Sequence, residues 1–226
     1  KAFPQLYLSG FASLTREQEQ LTERAVKEVI SRLRSYQTVD GSFSYWPGGT
    51  GSNAWGTVYA THFLLEAEKK GYLVPEGMKR DVLNDLSRIA RNWKPETSYW
   101  AESEEMTQAY RLFVLALGQT AEVGAMNRLK ESKTLAPMSR YLLAAGYALV
   151  GRPDVSKELV AKTTALTTAY SEYDRTFGSD LRDNSIRLMT LCLLDGGKEA
   201  ALLANEISKT LASDDWLSTQ STAFSL

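Results

Sequence analysis

Apolar residues recur at helical spacing along most of this 226-residue chain, and this periodicity limits the possible fold more than any other feature. The first clear stripe follows Thr15, which together with Gln18 has the pattern of a helix-capping box. The stripe consists of Leu21, Ala25, Val29 and Leu33. Because residues four apart share one face of a helix, the pattern predicts an amphipathic helix that begins after Thr15.

The same spacing predicts further helices, whose ends are marked by glycine and proline. They run over about 54–70, 76–92, 103–117, 120–131, 138–150, 154–169, 183–195 and 198–212. The glycines that follow such segments, as expected at a helix C′ position, are Gly71, Gly118 and Gly151. The prolines that lie where helices begin are Pro75, Pro137 and Pro153. Strand signals are limited to short aromatic pieces such as 42–46, so the sequence predicts an all-α fold.

An aromatic turn, a polar cap and a helix with small inner residues follow one another repeatedly along the chain. Two threonines in equivalent positions, Thr57 and Thr107, are separated by about 50 residues, enough for two helices and two loops. Such hairpins either stack into an open superhelix or close into a ring, and small inner residues favour the ring because they let helices converge. We therefore predict one αα-toroid domain over 1–226, incomplete at both ends, with an open helical-repeat binding module as an alternative.

Residues 36–43 resemble the Gln…Gly–aromatic repeat of the terpenoid cyclases, which share the αα-toroid. In this sequence the repeat contains Gln37, Gly41 and Phe43. It is a structural tie between helix ends, so the resemblance supports the architecture and not the activity. The DxDD acid of the protonating cyclases is missing from the sequence.

Charge and hydropathy exclude several kinds of partner. The 26 basic and 27 acidic residues are interspersed, and the absence of a basic stripe argues against nucleic-acid binding. The longest apolar run, 188–194, is far below the ~20 residues of a membrane-spanning helix. The chain opens on Lys1 without a methionine, and we expect it to be a piece of a longer protein.

The composition offers few residues for metal binding or nucleophilic catalysis. With a single histidine, His62, and a single cysteine, Cys192, the sequence offers no usual zinc site. Both residues lie in apolar helical stretches, so we predict that His62 is a packed or partly exposed helix residue and that Cys192 is a small buried core residue. No cofactor is expected.

Acidic residues next to aromatic turns leave an enzyme open as an alternative. αα-Toroids also occur in glycoside hydrolases, which place two carboxylates around the scissile bond. The candidates are Glu102, Glu104 and Glu105, close to Tyr99 and Trp100, together with Asp180 and Asp183. The same positions precede or open predicted helices, where acidic residues are favoured by capping and by the helix dipole. We consider the capping role the better interpretation.

Several blocks of the chain, in order, resemble the bacterial alpha-2-macroglobulin family. Residues 1–7 (KAFPQLY) look like the segment that follows a CxEQ thioester motif in that family. Residues 40–47 (DGSFSYWP) with 55–60 (WGTVYA) are similar to its Gly-Ser-Phe…Trp-x-Thr-x-Tyr block. The later blocks are 141–149, 177–183 and 216–223. Together they cover nearly the whole chain and identify it as resembling the thioester domain, starting just after the motif.

This resemblance implies a domain of a large protein that inhibits proteases, and not a self-contained enzyme. In the family, cleavage of a bait region exposes a Cys–Gln thioester, which acylates a nucleophile of the attacking protease. The implied partners are target proteases and other domains of the parent chain. The implied location is the periplasm or the cell surface, or outside the cell, with a lipid anchor upstream as a possibility.

The CxEQ motif is not in the sequence, so no catalytic residue is assigned to this chain. Two explanations stay open: the chain starts just downstream of the motif, or its parent belongs to the bacterial branch of the family that lacks the thioester. Residues expected near the thioester pocket are Tyr45, Trp46, Tyr99 and Trp100. Complement-type relatives also carry a histidine that steers transfer to hydroxyls, and the corresponding stretch, about 97–105, has none. The resemblance therefore implies a preference for amines over hydroxyls.

Overall fold

The computed structural model describes residues 2–95, 97, 99–132, 135–163 and 176–226. By its internal contacts the chain divides into two compact units, residues 1–88 with Leu226 and residues 89–225. Within the described residues there is no strand, and isolated β-bridges join Gln37 to Phe43 and Ser44 to Ser52. The predicted all-helical class is confirmed. Ring closure and the single domain over 1–226 stay predictions.

The first unit begins with two single-turn helices and continues with three longer ones. They are α1 (Ala2–Gln5), α2 (Leu8–Phe11), α3 (Arg16–Leu33), α4 (Ala54–Lys69) and α5 (Glu76–Asn92), the last of which runs past Arg88 into the second unit. The predicted capping box opens α3: the Gln18 amide N donates to Thr15 Oγ1 at 3.3 Å, and the Thr15 amide N donates to Gln18 Oε1 at 2.8 Å. A sequence signature of four residues therefore fixes where α3 starts.

Helix α4 has more buried residues than any other helix of this unit. Its core side chains are Trp55, Val58, Phe63, Leu64 and Ala67. Asn53 caps its start by accepting a 2.6 Å hydrogen bond from the Gly56 amide. Helix α3 is much less enclosed, with only Val26 and Ile30 buried. The stable centre of the first unit is therefore α4 and what packs against it.

The Gln37 side chain ties the turn after α3 to the start of α5. Its Nε2 donates to Gly41 O at 3.1 Å and to Met78 O at 3.0 Å. Gly41 has a φ of +94°, and a Cβ placed on it would lie 2.4 Å from Asp81 O. The Gln…Gly pattern read from the sequence is therefore a packing contact that only glycine at position 41 can make.

The second unit contains seven helices among its described residues. They are α6 (Ala101–Leu117), α7 (Val123–Lys130), α8 (Pro137–Leu149), α9 (Pro153–Ala161), α10 (Asp180–Cys192), α11 (Gly197–Leu211) and α12 (Thr219–Ser225). Helix α6 is buried on all sides from Glu105 to Ala116, as expected of a central helix. It packs against α8, where a Cβ on Gly146 would lie 3.6 Å from Phe113 Cα. Small residues do allow these backbones to approach closely.

Hydroxyl contacts join α10 to its neighbours. Ser185 Oγ lies 2.9 Å from Ser225 Oγ of α12, and Thr190 Oγ1 donates to Tyr141 O of α8 at 3.1 Å. Apolar packing among Leu181, Leu191, Leu203 and Ile207 joins α10 to α11. Buried serines and threonines thus pack between helices here, each with a hydrogen-bond partner.

Several helix ends differ from the sequence prediction, among them the C-terminal ends of α6 and α9. Gly118 was expected in a left-handed C′ conformation, but its φ is −77° and Gln119 adopts the positive φ of 59° instead. The Thr120 amide donates to Leu115 O at 2.9 Å, which closes the turn one residue later than expected. The helix predicted over 154–169 ends at Ala161, and residues 164–169 lie outside the described residues.

Candidate functional site

Tyr45 and Trp46 protrude from a turn that is held by several hydrogen bonds. The Gly48 amide donates to Ser35 O at 2.7 Å, and the Gly49 amide donates to Trp46 O at 3.0 Å. The two rings meet edge to face with centroids 5.0 Å apart, and their residues are 62% and 71% exposed. Two large aromatic side chains are therefore held in place at the surface of the first unit, which is unusual unless something covers them.

Tyr99 and Trp100 form a similar exposed pair in the second unit. Their ring centroids are 4.8 Å apart in an edge-to-face contact. Trp100 O accepts hydrogen bonds from Ser103 Oγ at 2.9 Å and from the Glu104 amide at 3.0 Å, which attaches the pair to the first turn of α6. The structure thus places all four predicted pocket residues on turns, as two pairs, and their assignment to a thioester pocket stays a prediction.

The N-terminal segment, residues 2–11, packs on α4 through two aromatic side chains. The buried Phe3 ring lies 5.4 Å from Tyr59, 5.0 Å from His62 and 5.7 Å from Phe63, measured between centroids. Four residues later, Tyr7 Oη donates to Glu66 Oε2 at 2.6 Å. Burial, and secondarily the Glu66 carboxylate, raises the pKa of Tyr7, so the phenol remains a hydrogen-bond donor at any physiological pH.

His62 is the histidine of this aromatic cluster. It is 8% exposed and lies edge-on to Phe3. Burial lowers its pKa to about 4, an effect only partly opposed by Glu66. The sequence prediction of a packed helix residue is confirmed, and a neutral imidazole enclosed by aromatic rings is poorly placed for proton transfer to a bound substrate.

The stability of the chain should fall on mild acidification because of His62. Unfolding exposes an imidazole with an ordinary pKa of ~6.5, so the unfolded chain binds the proton first and stability is lost as the pH falls from 6.5 toward 4. We expect a loss of about 1 kcal/mol between pH 7 and 5.5. Urea denaturation of the chain and of the His62→Gln variant at both pH values measures it. Equal losses in the two proteins would contradict this assignment.

Of the five carboxylates considered as a pair, Asp183 and Glu105 make structural contacts. Asp183 accepts from Arg182 Nε at 2.9 Å and from Nη2 at 2.7 Å. Glu105 is buried and accepts from the Ala136 amide at 2.8 Å, where α8 begins, and its burial raises its pKa. Glu102 and Glu104 lie in the first turn of α6, and Asp180 in that of α10. A groove of about 830 Å³ in the first unit includes none of these residues in its lining.

The sequence suggested an acidic cap for α10, but the residue that caps this helix is a serine. Ser179 Oγ accepts from the Arg182 amide at 3.1 Å, so Ser179 caps the helix. Asp180 and Asp183 contribute charge to the first turn, where the helix dipole favours it. For α6, Trp100 occupies the cap position with no side-chain cap, and Glu102 and Glu104 again lie in the first turn.

Cys192 is exposed, and the prediction of a buried core cysteine was wrong. It is the last residue of α10, and Leu193 beside it is also exposed. The apolar run that suggested burial continues past the end of the packed part of this helix. An exposed thiol is accessible to reagents, so it would add to the signal of a thiol titration.

Neither a metal site nor a membrane span is found in the part of the chain that the structure describes. No group of three or more His, Cys, Asp or Glu side chains is placed there to hold a metal ion. None of the helices among those residues has both the length and the apolar character needed to cross a bilayer.

Comparison with known proteins gives the strongest evidence on the relationship. No family model matches the chain. The alpha-2-macroglobulin of Escherichia coli K12 is 30% identical over 235 residues, covering 96% of this chain. The chain is homologous to a segment of the bacterial alpha-2-macroglobulins. It spans 14% of the Escherichia coli relative and 10% of a Xylella fastidiosa alpha-2-macroglobulin, which is 28% identical over 166 residues.

Solved alpha-2-macroglobulin structures share the fold of this segment. Trypsin-activated Escherichia coli alpha-2-macroglobulin matches with a TM-score of 0.79 and 26% identity, over 99% of this chain and 16% of that one. The native conformation of the same protein also gives 0.79, at 26% identity over 99% of this chain and 15% of that one. Salmonella alpha-2-macroglobulin reacted with methylamine matches with a TM-score of 0.78 and 26% identity, over 99% of this chain and 15% of that one. The family resemblance read from the sequence is therefore confirmed.

The sequence did not lead us to predict the contact between the N-terminal segment and α4. The alpha-2-macroglobulin-like block KAFPQLY contains Phe3 and Tyr7, spaced as neighbours on a helix face, and α4 carries His62 and Glu66 at the same spacing. That matched spacing was the available signal. Nothing local indicates that two stretches 59 residues apart in sequence would meet.

Proposed function

We propose that this chain is the thioester-domain part of a protease-trapping bacterial alpha-2-macroglobulin. The observation that carries the proposal is the 30% identity to the Escherichia coli protein over 96% of the chain. The fold agrees about equally well with the native and the trypsin-activated forms of that relative, with TM-scores of 0.79 for both. This supports a domain that keeps its fold while its surroundings in the parent protein change on activation.

The chemistry belongs to a Cys–Gln thioester in the parent chain, upstream of residue 1. A lysine amine of the protease attacks the thioester carbonyl carbon, the C–S bond breaks, and an amide forms. The departing thiolate takes up the proton that the amine loses. Before activation the thioester must be kept from water, which would attack the same carbon. The role of this chain is to hold that donor and to shield it.

The exposed aromatic pairs are suited to this shielding. Tyr45 with Trp46, and Tyr99 with Trp100, offer large apolar surfaces on turns fixed by backbone hydrogen bonds. Such surfaces exclude water when another surface covers them. We assign them to contacts that close over the acyl donor in the inactive parent protein.

The partners follow from the same proposal. They are target proteases, captured after cleavage elsewhere in the parent, and the other domains of that parent chain. The protein would act in the periplasm, at the cell surface or outside the cell, with a lipid anchor upstream of this segment as one form of attachment. It inhibits proteases and is not itself an enzyme.

Conjugation of a protease tests the proposal. The full-length parent protein is mixed with trypsin and separated on a denaturing gel, with a sample pretreated with methylamine as control. We expect a covalent conjugate of higher mass that contains trypsin, and its loss after methylamine treatment. If trypsin cleaves the parent and no conjugate resists denaturation, thioester capture is excluded.

The acyl donor should prefer amines to hydroxyls. The chain has a single histidine, His62, and that residue is buried against Phe3, so no imidazole of this chain is available to activate a hydroxyl. Activating the full-length protein in the presence of labelled methylamine or labelled glycerol measures the preference. We expect label from methylamine to dominate. Equal incorporation of glycerol would contradict the prediction.

A further inference from the structure

The N-terminal segment contacts one face of α4 through Phe3 and Tyr7, and its helix α1 also packs against α3. Tyr59, His62 and Phe63 surround the ring of Phe3, Glu66 binds the hydroxyl of Tyr7, and the Lys70 Nζ just beyond the helix lies 4.8 Å from the centre of the Tyr7 ring. Each of His62 and Phe63 is three or four residues from Tyr59 and from Glu66, so these four side chains lie along one face of α4, and Lys70 follows just after the helix ends.

The hydrogen bond from Tyr7 to Glu66 is the polar anchor of this contact. Glu66 is 8% exposed, and its other oxygen, Oε1, lies 3.8 Å from Lys69 Nζ. A bond of 2.6 Å to a shielded carboxylate is short, as expected when the acceptor is charged. Removing the phenol would leave a buried carboxylate with one donor fewer, which costs more than an average hydrogen bond.

The N-terminal segment has little intrinsic means of keeping its shape. Helices α1 and α2 have four residues each, and α2 buries none of its side chains. Helices this short are unstable by themselves, because nucleation is unfavourable and few bonds follow it. The position of the segment is therefore set by what it docks on, and α4 supplies the aromatic cluster and the anchor.

We propose that Tyr7 and Glu66 are positioning residues that fasten the N-terminal segment to α4, and thereby hold the acyl donor in its protected place. This inference rests on the proposed function, in which the donor precedes residue 1. When the fastening is loosened, water or a small amine reaches the thioester carbonyl without prior protease cleavage. The C–S bond then breaks, a carboxylic acid or an amide forms, and the sulfur leaves as a thiol.

The test uses the full-length parent protein in a Cys192→Ser background, because the exposed Cys192 would add a constant thiol signal. Tyr7→Phe and Glu66→Gln are compared with the unmodified background and with Tyr72→Phe. Tyr72 is a half-buried tyrosine of the same unit, whose charged neighbours are Glu23 and Lys27. The readout is the rate at which methylamine releases thiol before any protease is added.

We expect Tyr7→Phe and Glu66→Gln to release thiol about tenfold faster than the background, as the loss of one charge-assisted hydrogen bond allows, and Tyr72→Phe to release it at the background rate. Hydrogen exchange of residues 2–11 gives a second readout, which should accelerate in the two fastening variants only. Unchanged thiol release in both variants overturns the inference, and so does unchanged exchange. If the background protein releases no thiol with methylamine or trypsin, the proposed function fails as well, so the two failures are distinguishable.

Discussion

Replacing Gly41 by alanine is expected to lower the free energy of unfolding by about 3 kcal/mol. The residue has a φ of +94°, and its added Cβ would lie 2.4 Å from Asp81 O and 2.7 Å from Asp81 C. Both are backbone atoms of α5, so the clash is relieved only if the turn and the helix separate. That movement would also stretch the hydrogen bond from Gln37 to Met78 O.

Gly71→Ala is the matched control for this substitution. Gly71 has a nearly identical φ of +91°, but a Cβ there would meet nothing within 4 Å. The substitution should therefore lower the free energy of unfolding by about 1 kcal/mol, which is the cost of placing an alanine in the left-handed region. Urea denaturation followed by circular dichroism measures both. Equal losses for the two variants would show that the contact with Asp81 contributes nothing.

Arg182→Met is expected to destabilise the chain by about 3–5 kcal/mol, because it removes one partner of a buried ion pair and leaves the other in place. The Arg182 side chain is 3% exposed, and it donates to Thr176 O at 2.9 Å and to Asp183. Without the guanidinium, the Asp183 carboxylate, itself 14% exposed, loses this ion pair. The Thr176 carbonyl also loses the donor from Arg182 Nη1, while Gln220 Nε2 still donates to it at 2.8 Å.

An exposed pair of the same chemistry provides the control. Arg152 binds Asp154 through two hydrogen bonds of 3.1 Å, but the two side chains are 56% and 66% exposed. Arg152→Met should leave the denaturation midpoint almost unchanged, since exposed ion pairs contribute little. The double variant Arg182→Met/Asp183→Asn should recover part of the loss. No recovery would mean that Arg182 acts through Thr176 and not through Asp183.

Local signals in the sequence predicted the helices well. The stretch predicted over 76–92 coincides with α5, and Pro137 and Pro153 each occupy the first turn of a helix. These features depend on residues within a few positions of one another, which is why they can be read from the sequence. Gly118 shows the limit: whether a glycine or its neighbour adopts the left-handed conformation depends on how the next turn packs.

Contacts between distant segments could not be predicted in the same way. The partnership of Tyr7 with Glu66 depends on how a short segment crosses α4, and neither neighbourhood specifies it. The exposure of Cys192 depends on where its helix stops being covered, whereas an apolar run in the sequence suggested burial. The four pocket aromatics came from the family resemblance, and the structure adds that they are exposed pairs on hydrogen-bonded turns.

The most direct test of the whole account is a thiol titration of the full-length parent protein carrying Cys192→Ser. The substitution removes the exposed cysteine of this domain from the signal. We predict no reactive thiol from the thioester position in the intact protein, and the appearance of an equimolar amount within the time that trypsin needs to cleave the chain. A thiol that is fully reactive before trypsin is added, or none after complete cleavage, would contradict the account.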